Sequence, residues 1–420
     1  MDQPTQLEVC LYGQRVGTIT RFGSDQTVFS FDADHINDRQ RPTLSLGFTN
    51  QHGDVITRFP TVTSRLMPFF SNLLPEGMLR QYLARRAGVR PHREFFLLHA
   101  LGQDLPGAVT VRSLDSSDTP NPANGVREDF DDALRFSLAG VQLKFSAIQA
   151  PLGGLTIPAQ GWGGSWIVKL PSVAFDGLPE NEFSMMQLAK MVGIDVPTFK
   201  LVDVDHIEGL PQDITGNRVI KGSGVIKGSG VMTGQALAVK RFDRADSGQA
   251  IHMEDFAQIF GLYPEDKYGK ASMRNIAQVL SDHDTAGKDI EEFVRRLTFN
   301  ALIGNADMHL KNWSVVYPDR LKPRLSPAYD LVSTIAFLPD DNLALKVSRS
   351  KRFRDFSSLE LAHLAKRVGL CERWVLAIAQ QTVAAFYDHW HREKRHLPLS
   401  RASVDVIDAH RQTVPLARAL

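Results

Sequence analysis

The stretch "LIGNADMHLKNWSVVY", residues 302–317, sets Asp307, His309, Lys311 and Asn312 between two apolar segments. Four polar side chains at the end of a buried element cost free energy unless something uses them. Upstream, "DIEEFVRRLTFNALIG" places Ile290, Phe293, Val294, Leu297 and Ala301 at i, i+3, i+4, i+7 and i+11. That is one face of a helix, and Gly304 ends it. Downstream, "WSVVY" reads as a strand, and "SPAYDLVST" then offers Asp330, 18 residues after Asn312.

Asp307 and Asn312 stand in the spacing D-x-x-x-x-N. Protein kinases use this spacing for a catalytic Asp and a metal-binding Asn, with a second metal-binding Asp on a later segment. The chemistry needs those residue types. One carboxylate orients or deprotonates the attacking hydroxyl, while an amide oxygen and a second carboxylate hold Mg²⁺, which prefers oxygen ligands and keeps several waters. Helix, loop, strand, turn and acid is therefore the order expected of a phosphoryl-transfer site, with Asp307 catalytic and Asn312 and Asp330 on the metal. Taken singly, Asp307 also fits a turn, Asp330 a helix cap, and His309 and Lys311 a solvated loop.

Other parts of such a site can be picked out. "WIVKLP" puts Lys169 in a strand, where it could reach ATP phosphates; an exposed lysine reads the same way. Glu182, in the helix "NEFSMMQLAKMVG", could pair with Lys169, or simply be an acid favoured in a helix's first turn. Phe183, Met186, Leu188 and Met191 form that helix's expected apolar side. "SLAGVQLKF" offers Ser137 and Gly140 as a phosphate-covering loop before a strand. In "AVKRFDR", backbone near Lys240 could meet adenine and Phe242 could pack on it, or Phe242 could be a core aromatic.

With 420 residues the chain exceeds one ordinary core. A formal net charge of +1 argues against a global nucleic-acid or membrane field. Two cysteines, Cys10 and Cys371, argue against a disulfide scaffold or a Cys-built zinc site and fit a reducing cytoplasm. No secretory signal or membrane span is expected. "LEVCLYGQRVGTITRF" reads as a hairpin, "QTVFSFDAD" as a further strand, and Pro68 to His99 as helical. Residues 113–129, rich in Ser, Asp and Pro, read as a linker. "VIKGSG" at 219–224 recurs at 225–230, which suggests a lengthened surface hairpin. "HWHREKRHLP" (389–398), with Lys366 and Arg367, is locally basic; a contact with DNA phosphate fits it, and a solvated helix face explains it better. His389, His391 and His396 lack the neighbours a metal site would need.

"SLAGVQLKF", "WIVKLP", "NEFSMMQLAKMVG", "VKRFDR", "IGNADMHLKN" and "AYDLVS" occur in the order found in the HipA family, and "QRVGTIT", "FFSNLLPEG" and "LPGAVTV" resemble that family's N-terminal part. HipA proteins are serine/threonine kinase toxins of bacterial toxin–antitoxin pairs. The resemblance implies an α+β, two-lobed protein-kinase-like fold: a HipA N-terminal subdomain at 1–112, a linker at 113–129, an ATP-binding N-lobe at 130–245 and a helical C-lobe at 246–420. It implies ATP and Mg²⁺, with Asp307 catalytic, Asn312 and Asp330 on the metal, Lys169 on the phosphates, and Ser137 a self-phosphorylated switch. Phosphorylation there adds roughly −1.5 to −2 charge beside the nucleotide. The implied partners are a HipB-like helix-turn-helix antitoxin, operator DNA through that antitoxin, and a protein substrate such as an aminoacyl-tRNA synthetase, with no membrane. Two features depart from the pattern: the "VIKGSG" insertion, and Lys240 where an acid can stand. A small-molecule kinase and a nucleotide-binding co-repressor are the alternatives; the N-terminal subdomain weighs against the first, the intact Asp307, Asn312 and Asp330 against the second.

Overall fold

The computed structural model describes residues 5–23, 25–50, 52–114, 143–149, 154–158, 163–172, 174–210 and 234–418. Ser137, Gly140, both "VIKGSG" copies and all but the first two residues of the 113–129 segment lie outside the described residues.

The chain opens on an antiparallel sheet in the order β4-β3-β2-β1-β5, formed by β1 (Gln6–Leu11), β2 (Gln14–Arg21), β3 (Gln26–Phe31), β4 (Val62–Thr63) and β5 (Val109–Ser113). The expected hairpin joins β1 and β2. Its turn residues Tyr12 and Gly13 have φ of 54° and 77°, as the mirror-image turn that matches strand twist requires. After the short α1 (Ala33–Asn37), the helical region divides into α2 (Pro68–Asn72), α3 (Gly77–Arg86) and α4 (Glu94–Leu101). Pro75 and Pro91 stand at the two breaks, where proline cannot continue a helix. Phe69, Phe70, Leu97 and Leu98 close this first core over Leu7, Val9, Ile19 and Phe29.

A second sheet runs β10-β7-β6-β8-β11-β9. Its strands are β6 (Lys144–Gln149), β7 (Leu155–Thr156), β8 (Trp166–Lys169), β9 (Phe199–Asp203), β10 (Ile207–Glu208) and β11 (Gln235–Lys240). Helix α5 (Leu178–Met191) packs on it. The buried face of α5 is Met185, Met186, Leu188 and Ala189, whereas Phe183 and Met191 of the expected face are only half-buried.

The rest is mostly helical around a small sheet of β12 (His252–Asp255), β13 (Ser314–Tyr317) and β14 (Arg324–Leu325). Its helices are α6 (Phe256–Ile259), α7 (Met273–His283), α8 (Lys288–Ile303), α9 (Ser358–Val368), α10 (Glu372–Glu393) and α11 (Arg401–Arg411). All five apolar positions expected of α8 are buried, in one core with Phe386 and Trp390 of α10. Trp390 Nε1 donates to Asp408 at 2.8 Å, pinning α11. No helix among the described residues is long and apolar enough to cross a membrane.

The first region grips the other two at several points. Glu254 of β12 is buried and accepts from Ser45 Oγ at 2.6 Å and Leu46 N–H at 2.8 Å. Just past β11, Arg241 and Arg244 reach Asp104 at 2.8 and 3.0 Å, and Asp243 accepts from the Gly107 N–H at 2.9 Å. All four charged groups are largely buried, so each depends on the others.

Candidate active site

Antiparallel pairing of β6 with β8 sets Lys144 opposite Lys169. Like charges directly opposite are destabilising, and a carboxylate resolves the conflict. Asp330 accepts from Lys169 through Oδ1 and from Lys144 through Oδ2, the latter at 3.3 Å. Lys169 also pairs with Glu182. Lys169 is 5% exposed and Glu182 2%, so neither is a surface group. Glu182 is the fifth residue of α5, past the first turn where an acid would serve the helix dipole. Burial alone would discharge Lys169, but Asp330 and Glu182 outweigh it and hold the ammonium charged. Burial would likewise raise Asp330, yet Lys144 and Lys169 hold its carboxyl far below the usual range. Asp330 is no helix cap: its φ is 52°, left-handed backbone that costs a non-glycine residue on the order of 1 kcal/mol.

The catalytic-loop candidates sit where α8 ends. Gly304 takes φ 67° as the cap, and a Cβ there would stand 2.3 Å from Ile335 Cδ1. Asn305, buried, then builds the loop. Its Oδ1 accepts from the Asp307 N–H at 3.0 Å, and its Nδ2 donates to Asn300 Oδ1 at 2.7 Å. Asn312, at the end of a 3₁₀ turn, donates from Nδ2 to the Asp307 carbonyl at 2.8 Å. Tyr268 OH donates to Asp307 Oδ1 at 2.7 Å. Neither companion of Asp307 is solvated as a bare loop would leave it. His309 is 6% exposed, and burial pushes its imidazole down to about 4. Lys311 Nζ reaches Asn72 O and Oδ1 at 3.0 Å each, Glu76 Oε1 at 3.1 Å and Asp255 Oδ2 at 3.6 Å.

Asn300, Asn305, Asn312, Tyr329 and Asp330 line one small cavity. Asn312 and Asp330 both line this cavity; Asn312 Nδ2 is taken by the Asp307 carbonyl, which leaves its amide oxygen, and the Asp330 carboxylate, met by Lys169 and Lys144, is the other hard-oxygen donor there. That donor set fits a cation such as Mg²⁺, which takes few protein ligands. At the segment after β11, the Lys240 N–H is spent on Thr198 O at 2.7 Å and the Arg241 N–H on Ser165 O at 2.8 Å. The Lys240 side chain pairs outward with Asp246. The backbone contact expected of Lys240 therefore cannot be made by its N–H. Phe242 is half-buried against Tyr329, with ring centroids 5.6 Å apart.

The description "HipA-like C-terminal domain" matches residues 136–390, and "HipA N-terminal domain" matches residues 7–112. The chain belongs to the HipA family of kinases. Its relatives include Y4dM of Sinorhizobium fredii (strain NBRC 101917 / NGR234), which bears a provisional kinase name and is 51% identical over all of this chain and 99% of its own. The serine/threonine-protein kinase toxin HipA of Shewanella oneidensis is 28% identical over 64% of each chain. A chain of the solved Shewanella oneidensis MR-1 complex of HipA, HipB and operator DNA shares the fold, with a TM-score of 0.69 at 21% identity over 97% of this chain and 95% of that one.

On this HipA scaffold, Lys169, Glu182, Asp330, Asp307 and Asn312 converge on one side of the junction between the second sheet and the helical region. Lys240 does not join them through its side chain. Sequence reasoning passed over Lys144, Asn305 and Tyr268. The signal for Asn305 was "NAD", an Asx turn feeding Asp307. Lys144 was readable only from strand pairing. Tyr268, in "DKYGK", carried no periodic signal at all.

Proposed function

We propose that the chain is an ATP- and Mg²⁺-dependent serine/threonine protein kinase, acting as the toxin of a toxin–antitoxin pair. The observation that carries this is the Glu182–Lys169–Asp330 relay, set beside a loop that presents Asp307 and Asn312. The residue roles follow from chemistry. Lys169 and Lys144 supply the positive charge that ATP phosphates need, and Glu182 holds Lys169 in place. Asp330 and the Asn312 oxygen are the ligands suited to Mg²⁺, which when bound neutralises phosphate charge and orients the terminal phosphoryl group. Asp307 accepts the proton of the acceptor hydroxyl as its oxygen attacks the γ-phosphorus and the bond to the β-phosphate oxygen breaks.

Ser137, outside the described residues, is our self-phosphorylation site and off-switch, where the added negative charge would repel bound nucleotide. A HipB-like antitoxin, operator DNA reached through it, and an aminoacyl-tRNA synthetase or other translation factor are the partners proposed, on the strength of family membership.

The test is intact mass after phosphatase treatment and then Mg-ATP, beside Asp307→Asn. Phosphate gained by the parent alone, mapping to Ser137, supports the whole reading. Phosphate elsewhere keeps the kinase and removes the switch. No gain despite ATP binding makes the chain a nucleotide-binding co-repressor instead.

A further inference from the structure

Asp307 has two carboxylate oxygens, and a kinase base needs only one for its substrate. Oδ1 is engaged by Tyr268 OH at 2.7 Å. Oδ2 makes no hydrogen bond among the described residues. The backbone on both sides is also fixed: the Asp307 N–H by Asn305, its carbonyl by Asn312 and by the His309 N–H at 2.8 Å. The side chain's one remaining freedom is rotation about its own bonds, and the phenol restrains it through Oδ1.

Tyr268 is itself held on three sides. Its ring stands edge-on to His309, centroids 5.0 Å apart at 85°. Lys267 Nζ lies 5.5 Å from the ring centroid and 2.9 Å from Glu76 Oε2. The Lys267 carbonyl accepts from the Leu310 N–H at 3.2 Å, which ties this segment to the catalytic loop. The tyrosine is 48% exposed, so its hydroxyl meets Asp307 at the edge of the solvent. A half-exposed phenol braced this thoroughly against one carboxylate oxygen serves that carboxylate.

We propose that Tyr268 is a positioning residue for phosphoryl transfer: it clamps Asp307 Oδ1 so that Oδ2 faces the acceptor hydroxyl. His309 Nε2 stands 3.9 Å from the same oxygen, beyond hydrogen-bond reach, so the phenol is the group that holds it. The proposal rests on the kinase reading above. It adds a residue outside the Asp307–Asn312–Asp330 set and assigns different work to the two oxygens of Asp307. Misaimed bases are costly because proton transfer needs the acceptor within hydrogen-bond reach.

The experiment uses the full-length protein, freed of phosphate beforehand, with the rate of self-phosphorylation by saturating Mg-ATP read as intact mass. Affinity for a non-hydrolysable ATP analogue and melting temperature are measured alongside. Tyr268→Phe keeps the ring and its packing and removes only the hydroxyl. The expected result is a 10- to 100-fold slower transfer, the size of a lost hydrogen bond to a charged group, with analogue affinity and melting temperature unchanged. An unchanged rate overturns the proposal while leaving the kinase standing. A faster rate also overturns it, because the phenol would then be competing with the acceptor. Loss of analogue affinity in step with rate would assign Tyr268 a structural role instead. A parent that binds the analogue but never transfers phosphate would remove the kinase reading, and this proposal with it.

Discussion

Glu76 Oε1 lies 3.1 Å from Lys311 Nζ, so a carboxylate of the first region holds a cation four residues after Asp307. Its other oxygen holds Lys267, next to Tyr268. Glu76 occupies the N-cap position of α3 without capping it, because both oxygens are committed elsewhere. Burial would raise this carboxyl, but Lys311 and Lys267 outweigh burial and lower it. A lowered folded-state pKa means the contribution is present above the ordinary Glu range and fades as pH falls below it. Glu76→Gln should therefore lower stability by on the order of 1 kcal/mol at neutral pH, with the difference shrinking toward acid. Urea midpoints of parent and variant at pH 7 and pH 4 would check this. A gap that stays constant with pH contradicts it.

Lys169 offsets two carboxylates at once. In Lys169→Met the side chain keeps its bulk and Glu182 stays buried with no cation against it. Breaking a buried pair costs about 3–5 kcal/mol. The orphaned Glu182, its pKa raised by burial, would contribute least at high pH and recover as pH falls and it takes a proton. The variant should lose ATP affinity at least ten-fold and be relatively more stable at pH 5 than at pH 8. Removing Glu182 as well, by Glu182→Gln, should restore much of the stability and none of the affinity. Calorimetric titration with ATP and denaturant curves separate the two effects.

His309 carries the opposite sign of pH dependence. Burial holds it neutral down to about pH 4, whereas an unfolded chain protonates it near 6.5. Between those values the unfolded state binds the extra proton, so stability falls with falling pH, by up to about 3 kcal/mol. Above pH 6.5 the effect is absent. A His309→Gln variant should lack this segment of the stability–pH curve. An unaltered curve would show that the ring can be protonated in place.

Gly304 ends α8 with a left-handed φ and no room for a side chain. Gly304→Ala meets Ile335 and strains the backbone, at a combined cost of roughly 1–3 kcal/mol. Because Asn305 and Asp307 follow directly, phosphate transfer should fall by more than stability alone explains. Adding Ile335→Ala removes the clash but not the backbone strain, so recovery should be partial. Complete recovery, in melting temperature and in rate, would mean that the conformation of Gly304 carries no cost.

What could be read in the sequence was what is local. The 3.6-residue rhythm of α8, the alternation around Tyr12 and Gly13, and the order of loop, strand and acid all depend on neighbours within a few turns. The chemistry of Lys311 does not: its partner Asn72 is 239 residues away, so a solvated lysine was an equally good reading until the chain was folded. Lys144 and Asp330 are 186 residues apart, and they meet because a strand pairing sets Lys144 beside Lys169 where the loop carrying Asp330 arrives. Glu182 was ambiguous because an acid near a helix start has a use by itself. The buried lysine opposite it removes the ambiguity. Phe242 remained a choice between core and site, and it packs on the tyrosine that precedes Asp330.

The cluster of Asp104 with Arg241, Asp243 and Arg244 crosses the seam between the two matched family regions, which fall on either side of residues 112 and 136. The regions are separable on paper and not in charge. A chain begun at residue 136 would keep both arginines and Asp243 and lose Asp104, one of the two aspartates that answer them, and Lys311 would lose Asn72 and Glu76 in the same cut. A reversal of sign at position 104 would need an answering change at 241 or 244, in the other matched region. The unit on which a mutation here acts is thus wider than either region.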